Sequence, residues 1–217
     1  MSVWTIVVAA GSGRRFGGAT SKQYLPLAGM TLLERSLEVA RDASDGVVLV
    51  VAPDRLEDPA PGADAVVAGG STRSGSVRAG LAAVPDDAEV EVIIVHDAAR
   101  PLASPALFAS VIEAVRNGAD AALPGLAIAD TIKRVDGDRV VETVDRSGLV
   151  AVQTPQAFKP SALRSAHAAL PEATDDAALV ESAGGTVVVV PGEPANLKIT
   201  IQADLALAEH HLADRSS

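Results

Sequence analysis

Continuous apolar runs alternate along the chain with segments of helical periodicity, and this alternation limits the possible folds more than any other feature. Residues 47–52 are apolar throughout and are followed by Pro53, a pattern typical of a strand that is buried on both faces. Thr31 and Glu34 form a capping-box pattern that opens a helix. Because strands joined by helices pair in parallel through right-handed crossovers, the sequence predicts an α/β fold with a mostly parallel, twisted sheet flanked by helices.

The rhythm changes at about residue 128, where two strand-like runs flank an Asp-Gly-Asp turn, which is a hairpin signal. An isolated hairpin is marginal in water, so we expect it to pack on something else, and a second subunit is the obvious candidate. We therefore expect one domain over residues 1–217 with a protruding β-arm at about residues 128–157. The expected strands elsewhere are residues 3–9, 47–52, 65–68, 92–95, 119–124, 186–190 and 197–201, and the expected helices are residues 31–41, 74–84, 105–116, 160–169, 175–182 and 203–213.

Composition excludes several classes of function. With 48% hydrophobic but only 2% aromatic residues, the core must be built from Ala, Val, Leu and Ile. A net charge of −10 argues against a nucleic-acid surface or a basic membrane face. Cysteine is absent, which rules out disulfides and thiolate catalysis. Since no run reaches the roughly 18 apolar residues that span a bilayer, we expect a cytoplasmic protein without nucleic-acid or membrane partners.

A glycine-rich turn follows the first expected strand, within VVAAGSGRRFGGATSKQYLPLAG at residues 7–29. Its glycine spacing is one residue too long for a dinucleotide-binding loop, and it lacks the Gly-Lys-Ser/Thr of a Walker loop. The turn instead carries Arg14 and Arg15, with Lys22 close behind, in a chain that has only four lysines. Cations beside a phosphate cradle suit a reaction in which negative charge grows, such as displacement at an α-phosphate. A tight turn with solvated charges is the structural alternative.

A carboxylate stands at the end of another buried strand, in VIIVHDAARP at residues 92–101. There Asp97 can hold Mg²⁺, which bridges one or two carboxylates to substrate phosphates. The histidines form no H-E-x-x-H pattern, so no zinc site is expected. Neither a G-x-S-x-G motif nor a cysteine offers a covalent nucleophile. Direct attack by a substrate phosphate on a nucleotide needs none, because it depends on positioning and charge stabilisation.

The motifs AAGSGRRF, SKQYLPLAG, GGSTRSGSVRAGL, VHDAARP, DTIKRV, TVDRSGL, TPQAF, TDDAALVE and NLKIT occur in one order along almost the whole chain. In this order the chain resembles the bacterial-type 2-C-methyl-D-erythritol 4-phosphate cytidylyltransferases of the non-mevalonate isoprenoid pathway. The resemblance implies a Rossmann-like nucleotidyltransferase fold. It also implies that CTP and methylerythritol phosphate are the substrates, with Mg²⁺ as cofactor and pyrophosphate as a product.

The same resemblance assigns the charged residues. Arg15 and Lys22 would stabilise charge at the α-phosphate, and Lys198 would reach the reacting phosphates from the far end of the chain. Asp97 would hold Mg²⁺ beside the nucleotide. From the residues alone, Lys198 is equally well explained as a charge at a strand edge.

The nucleotide itself would lie along the glycine-rich turn and the GGSTRSGSV stretch, where several family members have an acidic residue in place of Ser71. Thr72 and Arg73 of that stretch receive no role. The nucleotide-binding residues that the resemblance implies, besides Asp97, are Ala9, Ala10, Gly11, Ser12, Gly13, Gly70 and Ser76.

In the family the arm is exchanged between two subunits, so the resemblance implies a homodimer. Thr131 and Arg146 would then act on the partner's substrate, with Arg146 gripping the methylerythritol phosphate in a catalytic role. Arg100 and Thr154 are further substrate-binding candidates. Without the resemblance, Thr131 is an ordinary strand residue and Arg146 a surface charge near a turn.

Two other functions stay open on the sequence. One is a cytidylyltransferase for another polyol or sugar phosphate, such as ribitol 5-phosphate, which the first half of the chain would equally permit. The other is a non-catalytic module that senses CTP. The joint presence of Arg15, Lys22, Asp97 and Lys198 argues against a sensor, because binding alone does not require charges aimed at a transition state.

Overall fold

The computed structural model describes residues 1–11, 21–169 and 172–215. The described strands are β1 (Ser2–Val8), β2 (Pro26–Leu27), β3 (Met30–Thr31), β4 (Gly46–Val51), β5 (Ala65–Ala68), β6 (Val90–Asp97), β7 (Ala121–Ala127), β8 (Ile132–Asp136), β9 (Arg139–Val144), β10 (Val150–Val152), β11 (Gln156–Phe158) and β12 (Val187–Pro191). The helices are α1 (Leu32–Ala43), α2 (Arg73–Ala83), α3 (Pro105–Arg116), α4 (Pro160–His167), α5 (Asp176–Ser182) and α6 (Gln202–Arg215).

One large sheet organises the molecule, with strand order β10-β7-β11-β6-β1-β4-β5 and β12 paired to β7. The pairs β1–β4, β1–β6, β4–β5 and β7–β12 are parallel. The short strand β11 instead runs antiparallel to both β6 and β7, and β10 runs antiparallel to β7. The predicted α/β fold is confirmed, with a parallel half around β1 and a mixed half around β7.

Helices cover both faces of the sheet, and aliphatic residues fill the space between. Ile6 of β1 packs with α2 and α4 on one face, whereas the next residue, Val7, packs with α1 on the other. Gly80 lets α2 lie very close to the sheet, because a Cβ there would stand 2.4 Å from a methyl group of Ile6. The continuous apolar runs of the sequence follow from this two-sided burial.

Most predicted boundaries differ from the structure by only a few residues, but several segments differ in kind. Residues 197–201 are irregular and not a strand, since their buried Ile199 joins a small cluster with Leu27, Leu32 and Leu102. Apolar alternation there reflects burial without strand pairing. The short strands β2, β3, β10 and β11 were not predicted. Because β10 and β11 extend the main sheet, the prediction that the arm reaches residue 157 was wrong.

The predicted hairpin is confirmed as β8 and β9, which form a two-stranded sheet of their own. Gly137 occupies its turn with a φ of 58°, a left-handed conformation that favours glycine. Val135, Val140 and Val141 on these strands keep 57%, 55% and 54% of their surface exposed. We call β8, β9 and their turn the arm. Within the described ranges, no helix has the length and apolar character needed to cross a membrane.

Candidate active site

A cleft of about 600 Å³ opens at the carboxyl ends of β1 and β6. Val8 pairs with Asp97 at the end of these parallel strands. Ligands of α/β sheets bind at such strand ends. The described residues that line the cleft are Val8, Ala9, Ala10, Gly11, Lys22, Gln23, Gly70, Ser71, Thr72, Arg73, Ser76, Asp97, Ala98, Ala99, Lys198 and Thr200.

Asp97 lies between two cations. Lys198 Nζ donates a hydrogen bond of 2.6 Å to Asp97 Oδ2. On the other side, Arg73 Nε is 3.6 Å from Asp97 Oδ1. Arg73 begins α2, whereas Lys198 belongs to the irregular segment before α6. Three separate parts of the chain therefore meet at one carboxylate.

The two cations decide the ionisation of Asp97. Burial raises the pKa of this carboxyl, but Lys198, Arg73 and Arg100 outweigh that effect and leave the pKa at about 2. For Arg73, burial lowers the pKa, but Asp176 and Asp97 raise it by a larger amount. The net effect is a raised pKa, so the guanidinium stays charged. The cleft thus holds an ionised carboxylate between the side chains of Lys198 and Arg73.

Lys22 and Gln23 lie in a short 3-10 helix directly after the glycine-rich turn. Lys22 Nζ donates to the carbonyl oxygen of Ile199 at 2.6 Å. The buried Gln23 side-chain amide donates to the carbonyl oxygens of Ala9 at 2.6 Å and Gly11 at 3.2 Å. These bonds hold the start of the turn and join it to the segment that carries Lys198.

The turn before α2 supplies the opposite wall. Thr72 caps the helix by accepting a hydrogen bond from Gly75 N, and Ser76 Oγ donates to Thr72 O at 2.9 Å. A Cβ on Gly69 would lie 2.3 Å from that of Ala10, and one on Gly70 would lie 2.9 Å from the backbone carbon of Gly75. Gly69 is required because the two walls come so close together, and Gly70 because its turn packs against the backbone at the start of α2.

Arg100 and Thr154 lie beside the cleft but point into the protein. The Arg100 guanidinium donates to the carbonyl oxygens of Asn196 at 2.7 Å and Val152 at 3.2 Å. Thr154 Oγ1 accepts from Asp97 N at 3.0 Å and is 3.2 Å from His96 Nδ1. In this structure both residues support the backbone around Asp97 and Lys198.

Other predicted residues lie elsewhere. Thr131 and Arg146 are exposed at the ends of the arm and do not line the cleft of their own chain. Ser12, Gly13 and Arg15 lie outside the described residues, as does Arg14. The cleft therefore brings together Lys22, Lys198 and Asp97 with Ala9, Ala10, Gly11, Gly70 and Ser76.

Comparison with known families accounts for this arrangement. The model of the family described as IspD, 2-C-methyl-D-erythritol 4-phosphate cytidylyltransferase, matches residues 3–214. The chain belongs to this family. The resemblance found in the sequence motifs is thereby confirmed.

Relatives of the cytidylyltransferase family match over most of the chain. One from Saccharopolyspora erythraea, named 2-C-methyl-D-erythritol 4-phosphate cytidylyltransferase, is 47% identical and covers 98% of this chain and 100% of its own. The crystal structure of the enzyme of that name from Thermus thermophilus superposes with a TM-score of 0.83 at 38% identity, covering 98% of this chain and 100% of its own.

Some members of the family are longer. A bifunctional enzyme IspD/IspF from Clavibacter michiganensis is 47% identical over an alignment of 222 positions, and the match covers 96% of this chain and 54% of that protein. The chain thus spans about half the length of the bifunctional relatives that it matches.

The side chains that line the cleft can hold a magnesium ion only if most of its ligands come from elsewhere. Asp97 is the one acidic residue among the described residues that line the cleft. Within the described ranges, no group of three or more His, Asp or Glu side chains is placed so that it could hold a metal ion. Mg²⁺ commonly uses one or two carboxylates and takes its other ligands from substrate phosphates and water. Asp97 therefore suits an ion that arrives with a triphosphate.

Arg73 and Gln23 are two of the cleft residues that were not predicted from the sequence. Arg73 receives no role there, yet it touches Asp97 and lines the cleft. The signal available for it was its place just after a capping threonine at the end of GGST, which is where a helix N-terminus would begin. Gln23 had no comparable signal, because its contacts are with backbone carbonyls.

Proposed function

We propose that this chain transfers CMP from CTP to 2-C-methyl-D-erythritol 4-phosphate, giving 4-diphosphocytidyl-2-C-methyl-D-erythritol and pyrophosphate. The observation that carries the proposal is the contact of Asp97 with Lys198 and Arg73 in a cleft at the strand ends. Membership of the cytidylyltransferase family supports both substrates.

In the proposed reaction, an oxygen of the acceptor phosphate attacks the α-phosphorus of CTP. The bond from that phosphorus to the oxygen bridging the α- and β-phosphates breaks, and this oxygen leaves with pyrophosphate. Negative charge grows on the α-phosphate oxygens and on the leaving group. No group on the protein needs to form a covalent bond, so the protein has to position the reactants and stabilise charge.

The described charges of the cleft suit this task. Lys22, Lys198 and Arg73 supply three positive charges against the one negative charge of Asp97, a local balance of +2 in a chain whose net charge is −10. This local positive charge would attract a polyphosphate. Lys22 and Lys198 have long side chains that can turn from their protein partners to phosphate oxygens. We assign Arg15 to the same task by family resemblance.

The nucleotide would lie along Ala9, Ala10 and Gly11, with its base toward Gly70 and Ser76 and its triphosphate toward the lysines. We assign Ser12 and Gly13 to the same cradle by family resemblance. Asp97 would hold Mg²⁺ together with triphosphate oxygens, and the ion would supply further charge neutralisation at the reacting phosphates. Asp97 would then release its hydrogen bond to Lys198, whose side chain would turn to the phosphates.

A pyrophosphate-release assay with CTP and Mg²⁺ tests the reaction, with methylerythritol 4-phosphate and ribitol 5-phosphate supplied in parallel. We expect release with the first acceptor, and none when the divalent ion is chelated. Preference for ribitol 5-phosphate would keep the chemistry and replace the acceptor. Silence with both acceptors, despite CTP binding, would overturn the reaction in favour of a CTP sensor.

The substitution Lys22→Ala separates an enzyme from a sensor. We expect it to lower turnover far more than CTP affinity, because its charge is aimed at the reacting phosphates. Equal losses in turnover and affinity would remove that role from Lys22.

We also propose that the arm joins two copies of the chain, with Thr131 and Arg146 acting on the partner's substrate. Three half-exposed valines on the arm and the exposure of Arg146 support this proposal. We assign Arg100 and Thr154 to supporting the backbone beside the site of the acceptor. Since the substrates are phosphorylated metabolites, we place the dimer in the cytoplasm, which cell fractionation can check.

Mixing two inactive variants tests the exchange of arms. Arg146→Ala inactivates the arm and Lys198→Ala inactivates the cleft. A mixed dimer would therefore contain one intact site, which combines the cleft of the first variant with the arm of the second. If the arms exchange, random mixing of equal amounts restores about a quarter of wild-type activity, because half of the dimers carry one working site. Mixtures that stay inactive, or a fully active monomer in sedimentation, would contradict the exchange.

A further inference from the structure

A second carboxylate, Asp176, lies behind Arg73 and is buried completely. Asp176 Oδ2 accepts a hydrogen bond of 2.7 Å from Arg73 Nη1, and Asp176 Oδ1 is 3.0 Å from His167 Nε2. Asp175 already caps α5 by accepting from Ala178 N. The side chain of Asp176 is therefore not needed at the helix end and is directed at Arg73.

Arg73 is held beside Asp176 because burying the charge of Asp176 without a cation would be costly. A buried carboxylate without a cation is strongly destabilising, so it needs a charged partner close by. His167 Nδ1 is buried without a hydrogen-bond partner, which fits the tautomer that carries its proton on Nε2 and donates it to Asp176. Arg73 is then the group that balances the charge of Asp176.

Because of the shape of the guanidinium, the contact with Asp176 also orients Arg73 in the cleft. Arg73 contacts Asp176 through Nη1 and approaches Asp97 through Nε. Because the guanidinium is planar and rigid, fixing one edge fixes the direction of the other. Lys198 differs, since its side chain is 41% exposed against 24% for Arg73 and ends in a single ammonium group.

The backbone at the start of α2 has supports of its own. Glu172 accepts hydrogen bonds from Thr72 Oγ1 at 3.0 Å and Arg78 Nη2 at 2.9 Å, and Ala173 N donates to Ser74 Oγ at 3.2 Å. These contacts hold the helix start whatever residue stands at position 176. The influence of Asp176 on the cleft therefore runs through the side chain of Arg73.

We propose that Asp176 is a positioning residue, which holds Arg73 as a stationary cation against one oxygen of Asp97 while Lys198 is the cation that exchanges. This inference rests on the proposed function for its effect on turnover. It assigns the two cations different duties: Arg73 keeps Asp97 oriented, and Lys198 leaves Asp97 when the triphosphate arrives.

The substitution Asp176→Asn tests the proposal directly. It keeps the side-chain volume and removes the charge that holds Arg73. We expect kcat to fall about 10- to 100-fold while the KM for CTP changes less than about threefold, because a cation displaced by an ångström misaligns the reacting groups. The matched control is Asp120→Asn, which removes a carboxylate that binds Lys159 Nζ at 2.9 Å away from the cleft. It should leave kcat within about twofold of wild type.

A double substitution separates positioning from simple support of the fold. If Asp176 acts through Arg73, adding Asp176→Asn to Arg73→Gln should lower kcat no further than Arg73→Gln does alone. A further loss in the double variant equal to that of Asp176→Asn in the wild type would overturn the proposal. A kcat for Asp176→Asn within twofold of wild type would also overturn it.

Two measurements keep the test valid if Asp176→Asn folds poorly or if the enzyme reaction is not the one proposed. Arg73→Lys retains the charge that Asp176 needs but cannot span both carboxylates, so it should fold and still lose at least tenfold in kcat. In the protein without ligands, the Arg73 Nε–H resonance in nitrogen-edited nuclear magnetic resonance should exchange slowly with water. That protection should disappear in Asp176→Asn and persist in Asp120→Asn, and protection retained in Asp176→Asn would overturn the proposal independently of activity.

Discussion

Charged residues of the cleft contact other parts of the chain, whereas the charged and apolar residues of the arm stay largely exposed. In the cleft, each described charged side chain contacts another part of the same chain, as Lys198 and Arg73 contact Asp97. On the arm, the ion pair of Arg134 and Glu142 has its side chains 65% and 53% exposed, and the valines are exposed as well. The cleft is thus built within one chain, whereas the arm keeps an apolar surface that its own chain does not cover. Equivalent substitutions in the two regions should therefore have unequal effects.

The largest difference should come from removing one lysine in each region. Lys198→Ala removes a cation from the reacting phosphates, and we expect kcat to fall about a thousandfold, with CTP affinity changing less than tenfold. Lys133→Ala on the arm removes only a contact to Thr143 Oγ1 and should change kcat less than about threefold. Steady-state kinetics and CTP titration measure both. Similar losses of kcat in the two variants would contradict the difference between the cleft and the arm.

His96, which is buried next to Asp97 in the chain, should also give the protein a specific pH dependence. Burial lowers the pKa of His96 to about 4 from 6.5, even though Asp97 raises it. The unfolded chain therefore binds more protons between those values, so this contribution to stability is complete above pH 6.5 and is lost as the pH falls toward 4. The loss should amount to about 3 kcal/mol.

Urea denaturation of the metal-free protein across this pH range measures that contribution. We expect His96→Gln to remove most of the pH-dependent loss between pH 6.5 and 4. His210→Gln, which changes an exposed histidine on α6, should leave the wild-type profile in place. Identical profiles for wild type and His96→Gln would show that His96 does not stay neutral in the fold.

Valine truncation compares packing in the two regions. Val48→Ala creates a cavity in a fully buried strand and should lower the free energy of unfolding by about 2 kcal/mol. Val140→Ala on the arm should cost less than about 0.5 kcal/mol in dilute protein. Denaturation at two protein concentrations is the measurement. A cost at Val140 that appears only at the higher concentration would indicate that association covers the arm.

The smallest effect should come from the arm's ion pair. Arg134→Ala removes a contact of 2.7 Å to Glu142 between two exposed side chains, and we expect less than about 0.5 kcal/mol. Chemical denaturation at low and high salt checks this value. A loss above 1 kcal/mol that survives high salt would mean that the pair is shielded from water.

The sequence predicted the elements whose signals are local. Helix α3 has both ends as predicted, since Ser104 caps it and Pro105 occupies its first position. Strand β11 was missed because three residues provide no period, and it is defined only by pairing with β6 and β7. Residues 197–201 resemble a strand in sequence because Ile199 is buried, but it packs with Leu27, Leu32 and the helix α6 and pairs with none of the described strands.

The same limit applies to the cleft. Asp97 could be predicted because a carboxylate at the end of a buried strand is a local pattern. The contact of Arg73 with Asp176 could not, since 103 positions separate two residues that each resemble ordinary members of a helix start. Gln23 is similar, because an amide that bonds backbone carbonyls leaves no mark on its neighbours in sequence.

The position of Lys198 has a consequence for how the protein is made. It follows Asp97 by 101 positions, and Ile199, which accepts the hydrogen bond from Lys22, follows that lysine by 177. During translation the glycine-rich turn and β6 leave the ribosome long before the segment that completes the cleft. A nascent chain can therefore assemble most of its sheet while its triphosphate site still lacks a wall and a cation. The cleft is complete only after residue 198 has been made, so a chain that stops before it would hold most of the sheet and yet lack the lysine that contacts Asp97.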